Sequence, residues 1–204
     1  MKKQAYNFIK FGMFVVFYSA YAGHISSAFA IDVKAKSAVI VEVSTGKILL
    51  DKNADTPMAP ASMSKLMTLY MLFERLKDGS LSLDDSFRVS ENAWRKGGAK
   101  SGSSTMFLLP GQNVKIEDLI RGIIVQSGND ACIVVAEGIS GSEESFAEEI
   151  TVRGRAIGLL DSNFYNSTGW PHPEHRMTPR DLATLAAAII DRFPEFYHYF
   201  RETE

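Results

Sequence analysis

The chain has 204 residues, 46% of them hydrophobic, with 22 basic and 24 acidic side chains. That is enough for one domain with a real core, and a net charge of −2 without any basic stripe argues against a nucleic-acid partner. A single cysteine, Cys132, excludes an internal disulfide.

In chain order, Lys2, Lys3 and Lys10 give a positive start to an uncharged, mostly apolar run from Phe11 to Tyr21, and Ala28-Phe29-Ala30 fits a small-x-small cleavage pattern. Residues 1–30 are therefore expected to be a secretory signal peptide. The apolar run is short for a spanning helix, and the alternative is an uncleaved anchor that would associate the chain with the inner membrane. Removing residues 1–30 takes three lysines from the 22 basic residues and leaves 19 against 24 acidic ones, a net charge of −5 over residues 31–204.

Ser37 to Val43 predicts a strand, Ser44-Thr45-Gly46-Lys47 a turn and Ile48 to Leu50 the returning strand, together a hairpin. Pro57 and Pro60 break the chain before Ser62. Met63 to Lys77 is apolar nearly all round, which predicts a buried helix, and Lys77-Asp78-Gly79 stops it. Ser90 to Ser104 predicts a helix start followed by a glycine-rich loop. Ile116 to Gln126 predicts a helix, Ser127-Gly128-Asn129 a turn, and the stretch to Gly138 a short apolar helix in which Cys132 is a buried, inert thiol. Ser142 opens a further helix with Phe146, Ile150 and Ile157 inward. Asp161 to Arg176 reads as irregular, and within it His172-Pro173-Glu174-His175 reads as a solvated loop that His175 helps to pin. Thr178-Pro179-Arg180-Asp181 predicts a capped helix start, and that helix ends before Pro194.

Two short motifs carry chemistry. Ser62-Met63-Ser64-Lys65 lies at the start of the buried helix, so Lys65 sits one turn on from Ser62 and on the same face. Serine is a weak nucleophile until a base takes its proton, and burial would favour the neutral lysine that can do so. A helix N-terminus also favours the negative charge that develops in acyl transfer. Ser127-Gly128-Asn129 adds a hydroxyl able to relay a proton and an amide able to hold an amide of the substrate. Either pattern alone is weak: Ser44 to Lys47 repeats the first and Ser90-Glu91-Asn92 the second. Taken singly, Ser62 could be an N-cap, Lys65 a snorkelling surface residue, and Asn129 or Asp130 another cap.

The stretches Ala61 to Thr68, Gln126 to Cys132 and Thr178 to Asp181 together resemble the serine-type D-alanyl-D-alanine carboxypeptidases, the low-molecular-mass penicillin-binding proteins. The resemblance runs from about Lys36 to the C-terminus. It implies a mixed α/β fold of the β-lactamase/transpeptidase type, with the N-terminal hairpin and the helical subdomain in this sequence. It implies Ser62 as acylated nucleophile, Lys65 as base, and Ser127 and Asn129 as their partners across a cleft. It further implies a periplasmic enzyme that removes the terminal D-alanine from a peptidoglycan stem peptide ending in D-Ala-D-Ala, and that β-lactams acylate.

The third motif of that family, Lys-Thr-Gly, does not occur; Thr168-Gly169 is preceded by Ser167. In the family it lies on a later strand that supplies an oxyanion N–H and binds the substrate carboxylate. The chain is therefore expected to be an incomplete catalytic domain over residues 31–204, with a C-terminal segment as a possible partner. Its apolar first helix is expected to lack part of its cover. The alternatives are an inactive remnant or half of a split enzyme, and a class A-like serine β-lactamase, whose triplet is Ser-Asp-Asn and whose deacylating Glu has no convincing counterpart here. No cofactor or metal is expected: His172 and His175 are three apart in a proline-broken loop, not at the four-residue helical spacing of a zinc peptidase.

Overall fold

The computed structural model describes residues 33–203. The signal segment expected over residues 1–30 lies outside the described residues. Among these no helix is long and apolar enough to cross a membrane. The strands are β1 (Ala38–Glu42), β2 (Lys47–Lys52), β3 (Ser86–Arg88) and β4 (Asn113–Lys115). The helices are α1 (Lys65–Lys77), α2 (Glu91–Gly97), α3 (Ile116–Ile124), α4 (Asn129–Ser140), α5 (Glu143–Ala156) and α6 (Pro179–Arg192).

Every side chain of α1 from Met67 to Phe73 is buried, each aliphatic or aromatic one worth about 1.5–3 kcal/mol of transfer free energy. Neighbours α3, α4, α5 and α6 all pack against it. Tyr70 meets Phe193 edge-on and Phe73 stacks on Phe196, both with ring centroids 5.1 Å apart. The expectation that this helix lacks cover is not met, because the following helices close over it. Exposed apolar side chains lie elsewhere, including Ile40, Val43, Ile48 and Leu49 on the hairpin.

That hairpin pairs Ala38 with Lys52 and Ile40 with Leu50. The register then shifts so that Val41 faces Ile48, leaving Leu49 as a bulge. Half-buried Val39 and Val41 share the strand that rests on α6. Arg180 of α6 clamps the hairpin through Asp51 and Asp55, its Nη2 donating at 2.7 and 2.9 Å. A second small sheet departs from the expectation of a lone hairpin: β3 pairs antiparallel with β4, Phe87 opposite Val114. Three-residue strands are too short for alternation to show in sequence; pairing alone defines them. The caps are as the sequence predicts. Ser142 accepts from Ser145 N–H, and Thr178 accepts from Asp181 N–H behind Pro179.

Helix α4 runs through the centre, with Ala131 to Ala136 buried. Its close approach to α2 depends on Gly97, where a Cβ would lie 2.3 Å from Asp130 N. Asp130 is fully buried in the first turn of α4, where a carboxylate meets the positive helix end. Its Oδ2 accepts from Thr105 Oγ1 at 2.6 Å and Leu108 N at 3.1 Å; its Oδ1 accepts from Met106 N at 2.8 Å and Ala131 N at 2.9 Å. One side chain thus ties residues 105–108 to the turn that opens α4. Asp130→Ala strips these donors of their acceptor in a buried place. The expected loss is about 3–5 kcal/mol of folding stability, read as a lower urea midpoint; a loss under about 1 kcal/mol would show that water replaces the carboxylate freely.

Candidate active site

Ser62 stands in a 3-10 turn, Ala61–Ser64, that leads directly into α1. Its hydroxyl is on the exposed side, whereas Lys65 is only 4% exposed. The 3-10 geometry places side chains at i and i+3 one above the other, and Lys65 Nζ donates to Ser62 Oγ at 2.9 Å. Its second hydrogen bond, also 2.9 Å, goes to Thr168 O. Burial pulls the Lys65 ammonium below the ordinary lysine value of 10.5, against a smaller opposing pull from Cys132.

The loop that carries Thr168 is shaped by Asn166. Asn166 Oδ1 accepts from Thr168 N, Thr168 Oγ1, Gly169 N and Trp170 N at 2.8–3.1 Å, while Nδ2 donates to Trp170 O. Thr68 of α1 donates to Ser167 O at 2.7 Å, and Ser167 Oγ donates to Glu143 of α5 at 2.8 Å. At Gly169, with φ +83°, a Cβ would lie 1.9 Å from Ala61 O and 2.7 Å from Ser64 Oγ. Only glycine lets this loop lie against the turn that presents Ser62. Neither Asn166 nor Glu143 stands out in the sequence as a site residue. The one available signal was an Asn followed by Ser-Thr-Gly, the chemistry of a side-chain-closed turn.

Ser127 lies on the turn before α4 and Asn129 is the first residue of α4, which packs against α1. Ser127 has φ +53° and Ala61, immediately before Ser62, has φ +50°. Left-handed backbone at a non-glycine residue costs about 1–3 kcal/mol and persists where its surroundings over-determine it. Asn129 is 6% exposed, its backbone N–H donating to Ser104 O at 2.9 Å, and its side chain lines the same cavity as Thr168. Among the described residues no hydrogen bond joins Ser127 to Ser62 or Lys65. The structure pairs Ser62 with Lys65 directly and sets Ser127 and Asn129 on the neighbouring element. The two look-alike motifs are explained: Ser44 and Lys47 are exposed in the hairpin turn, and Ser90 caps α2 by accepting from Ala93 N–H.

Comparison with known proteins gives this geometry a family. A sequence model of D-alanyl-D-alanine carboxypeptidases matches residues 24–204. The chain belongs to the D-alanyl-D-alanine carboxypeptidase family. It is 39% identical to D-alanyl-D-alanine carboxypeptidase DacC of Escherichia coli (strain K12) over 173 residues, 84% of this chain and 43% of that protein. It superposes on D-alanyl-D-alanine carboxypeptidase DacD from Francisella tularensis with a TM-score of 0.79 at 38% identity, covering 83% of this chain and 40% of that one. With penicillin binding protein 5 from Haemophilus influenzae the TM-score is 0.80 at 36% identity, covering 84% and 49%. The chain spans less than half the length of each of these relatives. The fold is the mixed α/β, transpeptidase-like fold of the family, represented here by its hairpin and helices.

Two further groups bear on the family site. Cys132 of α4 is fully buried, and burial pushes its thiol up to about 12, with Lys65 the largest opposing influence. The thiol is buried as expected, and Lys65 acts on it through space. His175 is 1% exposed, so the loop is not solvated at that residue, which pins it as the sequence suggests. The loop folds inward there: His175 Nδ1 accepts from Tyr165 N–H at 3.4 Å, and the ring meets Phe164 edge-on at 5.8 Å. Among the described residues no group of three or more His, Cys, Asp or Glu could hold a metal.

Burial, and then the charge of His172, lowers the His175 imidazole from 6.5 to about 4. Between those values the unfolded chain binds a proton that the folded chain refuses. His175 therefore contributes stability that is complete above pH 6.5 and lost as pH falls towards 4, roughly 3 kcal/mol in all. Urea denaturation across that window is expected to show the slope in the native chain. The slope should flatten in His175→Asn, which keeps an acceptor near Nδ1 but does not titrate; an equal slope in the variant would assign the dependence to another group.

Proposed function

We propose that the protein is a serine-type D-alanyl-D-alanine carboxypeptidase acting on peptidoglycan stem peptides that end in D-Ala-D-Ala, with Ser62 as nucleophile and Lys65 as base. The observation that carries this reading is the 2.9 Å contact between Ser62 Oγ and the Nζ of a buried lysine. Family membership supports the reaction class.

In the proposed reaction neutral Lys65 accepts the Ser62 hydroxyl proton as Oγ bonds to the carbonyl carbon of the penultimate D-alanine. The tetrahedral intermediate collapses with cleavage of the C–N bond. The departing amine of the terminal D-alanine takes a proton delivered from Lys65 through Ser127. Water then attacks the ester on Ser62, its proton passing to Lys65, and the serine hydroxyl is restored. A β-lactam would enter the same path, its ring amide opening as Ser62 is acylated. Thr168 O holds the amine in place whichever protonation state it has, and Asn129 is assigned the acyl-side amide of the substrate. The anchor for the substrate's terminal carboxylate and a second oxyanion donor are assigned to a Lys-Thr-Gly strand, which this sequence does not contain. We also assign export to the periplasm to residues 1–30.

Fluorescent penicillin followed by peptide mass spectrometry on the full-length protein tests the assignment. The adduct is expected on Ser62 and is expected to vanish in Ser62→Ala. Lys65→Arg keeps the charge and removes the titrating base, so acylation should fall by at least ~10²-fold. Because the neutral amine is the active form and its pKa is lowered, acylation should rise with pH and level off below the ordinary lysine value of 10.5. An adduct on Ser44, Ser64 or Ser127, or near-native acylation in Lys65→Arg, would overturn the assignment.

A further inference from the structure

We propose that Glu143 of α5 is a positioning residue for Lys65: acting through Ser167, it holds the Thr168 carbonyl against the lysine amine and keeps the 166–170 loop closed over it. The proposal rests on the reading of Lys65 as the base.

Among the described residues no hydrogen bond or ion pair joins Glu143 to Lys65, so it acts at one remove. Ser167, next to the Thr168 whose carbonyl receives Lys65, is 1% exposed and has every polar group taken. Its N–H donates to Glu143 Oε1 at 3.2 Å, its Oγ donates to the same oxygen at 2.8 Å, and its carbonyl accepts from Thr68 Oγ1 at 2.7 Å. Thr68 stands on α1, the helix that carries Lys65. Glu143 reaches the loop from a second helix and supplies two of these three contacts. With Ser167 held from both sides and Thr168 N–H given to Asn166 Oδ1, the planar peptides on either side of Ser167 are fixed. The Thr168 carbonyl is thereby aimed.

The setting of Glu143 is that of a group kept for this contact. It is only 7% exposed, and a buried carboxylate is costly unless it is paired and hydrogen-bonded. Its Oε2 lies 3.7 Å from Lys96 Nζ of α2, an ammonium shared with Glu144 at 3.5 Å. It is also the first residue of α5, at the positive helix end. The helix does not need it as a cap, because Ser142 already accepts from Ser145 N–H. Oε1 is left to Ser167.

The loop matters to Lys65 because burial is the largest influence on its amine and lowers its pKa. A loop released from Glu143 admits water, which favours the ammonium and moves that pKa back up. Few other groups compete. Cys132 of α4 acts on Lys65, with its own thiol pushed up to about 12, and Asp130 and Glu143 act in turn on that thiol. The turn Ala61–Ser64 and residues 166–170 bring only neutral side chains.

The test is the pH profile of the acylation rate, followed with fluorescent penicillin on the full-length protein. In Glu143→Ala the rate at pH 7 is expected to fall about tenfold, within the ~10²-fold that a misplaced reacting group can cost, and the pH at which the rate levels off is expected to rise. Glu143→Gln keeps an acceptor for Ser167 without the charge and should restore the native profile. A variant that merely folds less well labels a smaller fraction of the protein at every pH and levels off where the native protein does. Ser167→Ala removes one donor to Glu143 without touching α5; it should shift the profile the same way by less, and it decides the matter if Glu143→Ala does not fold. An unchanged levelling-off pH in Glu143→Ala overturns the proposal. So does a Glu143→Gln profile displaced as far as that of Glu143→Ala, which assigns the effect to charge. Lys65→Arg in the same assay separates the two levels. If it labels like the native protein, or if the native protein does not label at all, the reading of Lys65 as base falls and the positioning role with it. If it fails to label while the Glu143 variants keep the native profile, the positioning role alone is lost.

Discussion

A lysine amine held almost wholly out of water is the constraint on which this structure turns. Lys65 has two hydrogen-bond partners, Ser62 Oγ three residues before it and Thr168 O 103 residues after it. The first follows from the helical turn. The second requires a loop to be carried back across α1 and fixed there, and much of the polar structure around the site serves that end. Asn166 closes the loop on itself, Thr68 and Glu143 pin Ser167 from two helices, and Gly169 lets the loop touch the backbone of Ala61. Burial disfavours the charged amine and lowers its pKa, which is the condition that the proposed role of Lys65 as a base requires.

The other wall is built on a carboxylate. Asp130 gathers the backbone of residues 105–108 onto the first turn of α4, directly behind Ser127-Gly128-Asn129. With its acceptor sites occupied from both sides, the turn before α4 has little freedom, and this over-determination can hold Ser127 at positive φ. Two non-glycine residues in left-handed backbone, Ala61 and Ser127, thus sit at the two motifs, each braced by a separate network. The Ser62 side is braced by the 166–170 loop and the Ser127 side by Asp130.

The loop network extends to the cavity through Glu143. Glu143 belongs to both settings: it receives Ser167, which steadies the loop under Lys65, and it takes part in the acidic lining with Lys96 opposite. The loop that receives Lys65 also carries Tyr165 and Trp170, which line the neighbouring cavity.

The local pieces of this protein were legible in the sequence because they depend on neighbours in the chain. The hairpin over Ser37 to Leu50, the buried helix after Pro60, the caps at Ser142 and Thr178, and the spacing that brings Lys65 back over Ser62 all follow from turn chemistry, apolar patterning and helical geometry. The motif combination also sufficed to separate Ser62 from Ser44 by context. What only the tertiary structure decided are the contacts made across large separations. They include the Thr168 carbonyl that receives Lys65, the Asp130 carboxylate that holds residues 105–108, and the pairing of β3 with β4. They also include the cover of α1 by later helices and the burial of His175 in a loop that its prolines and charges made look solvated. Each joins groups that no periodicity relates, so their partners are set by how the chain packs and not by where they stand in it.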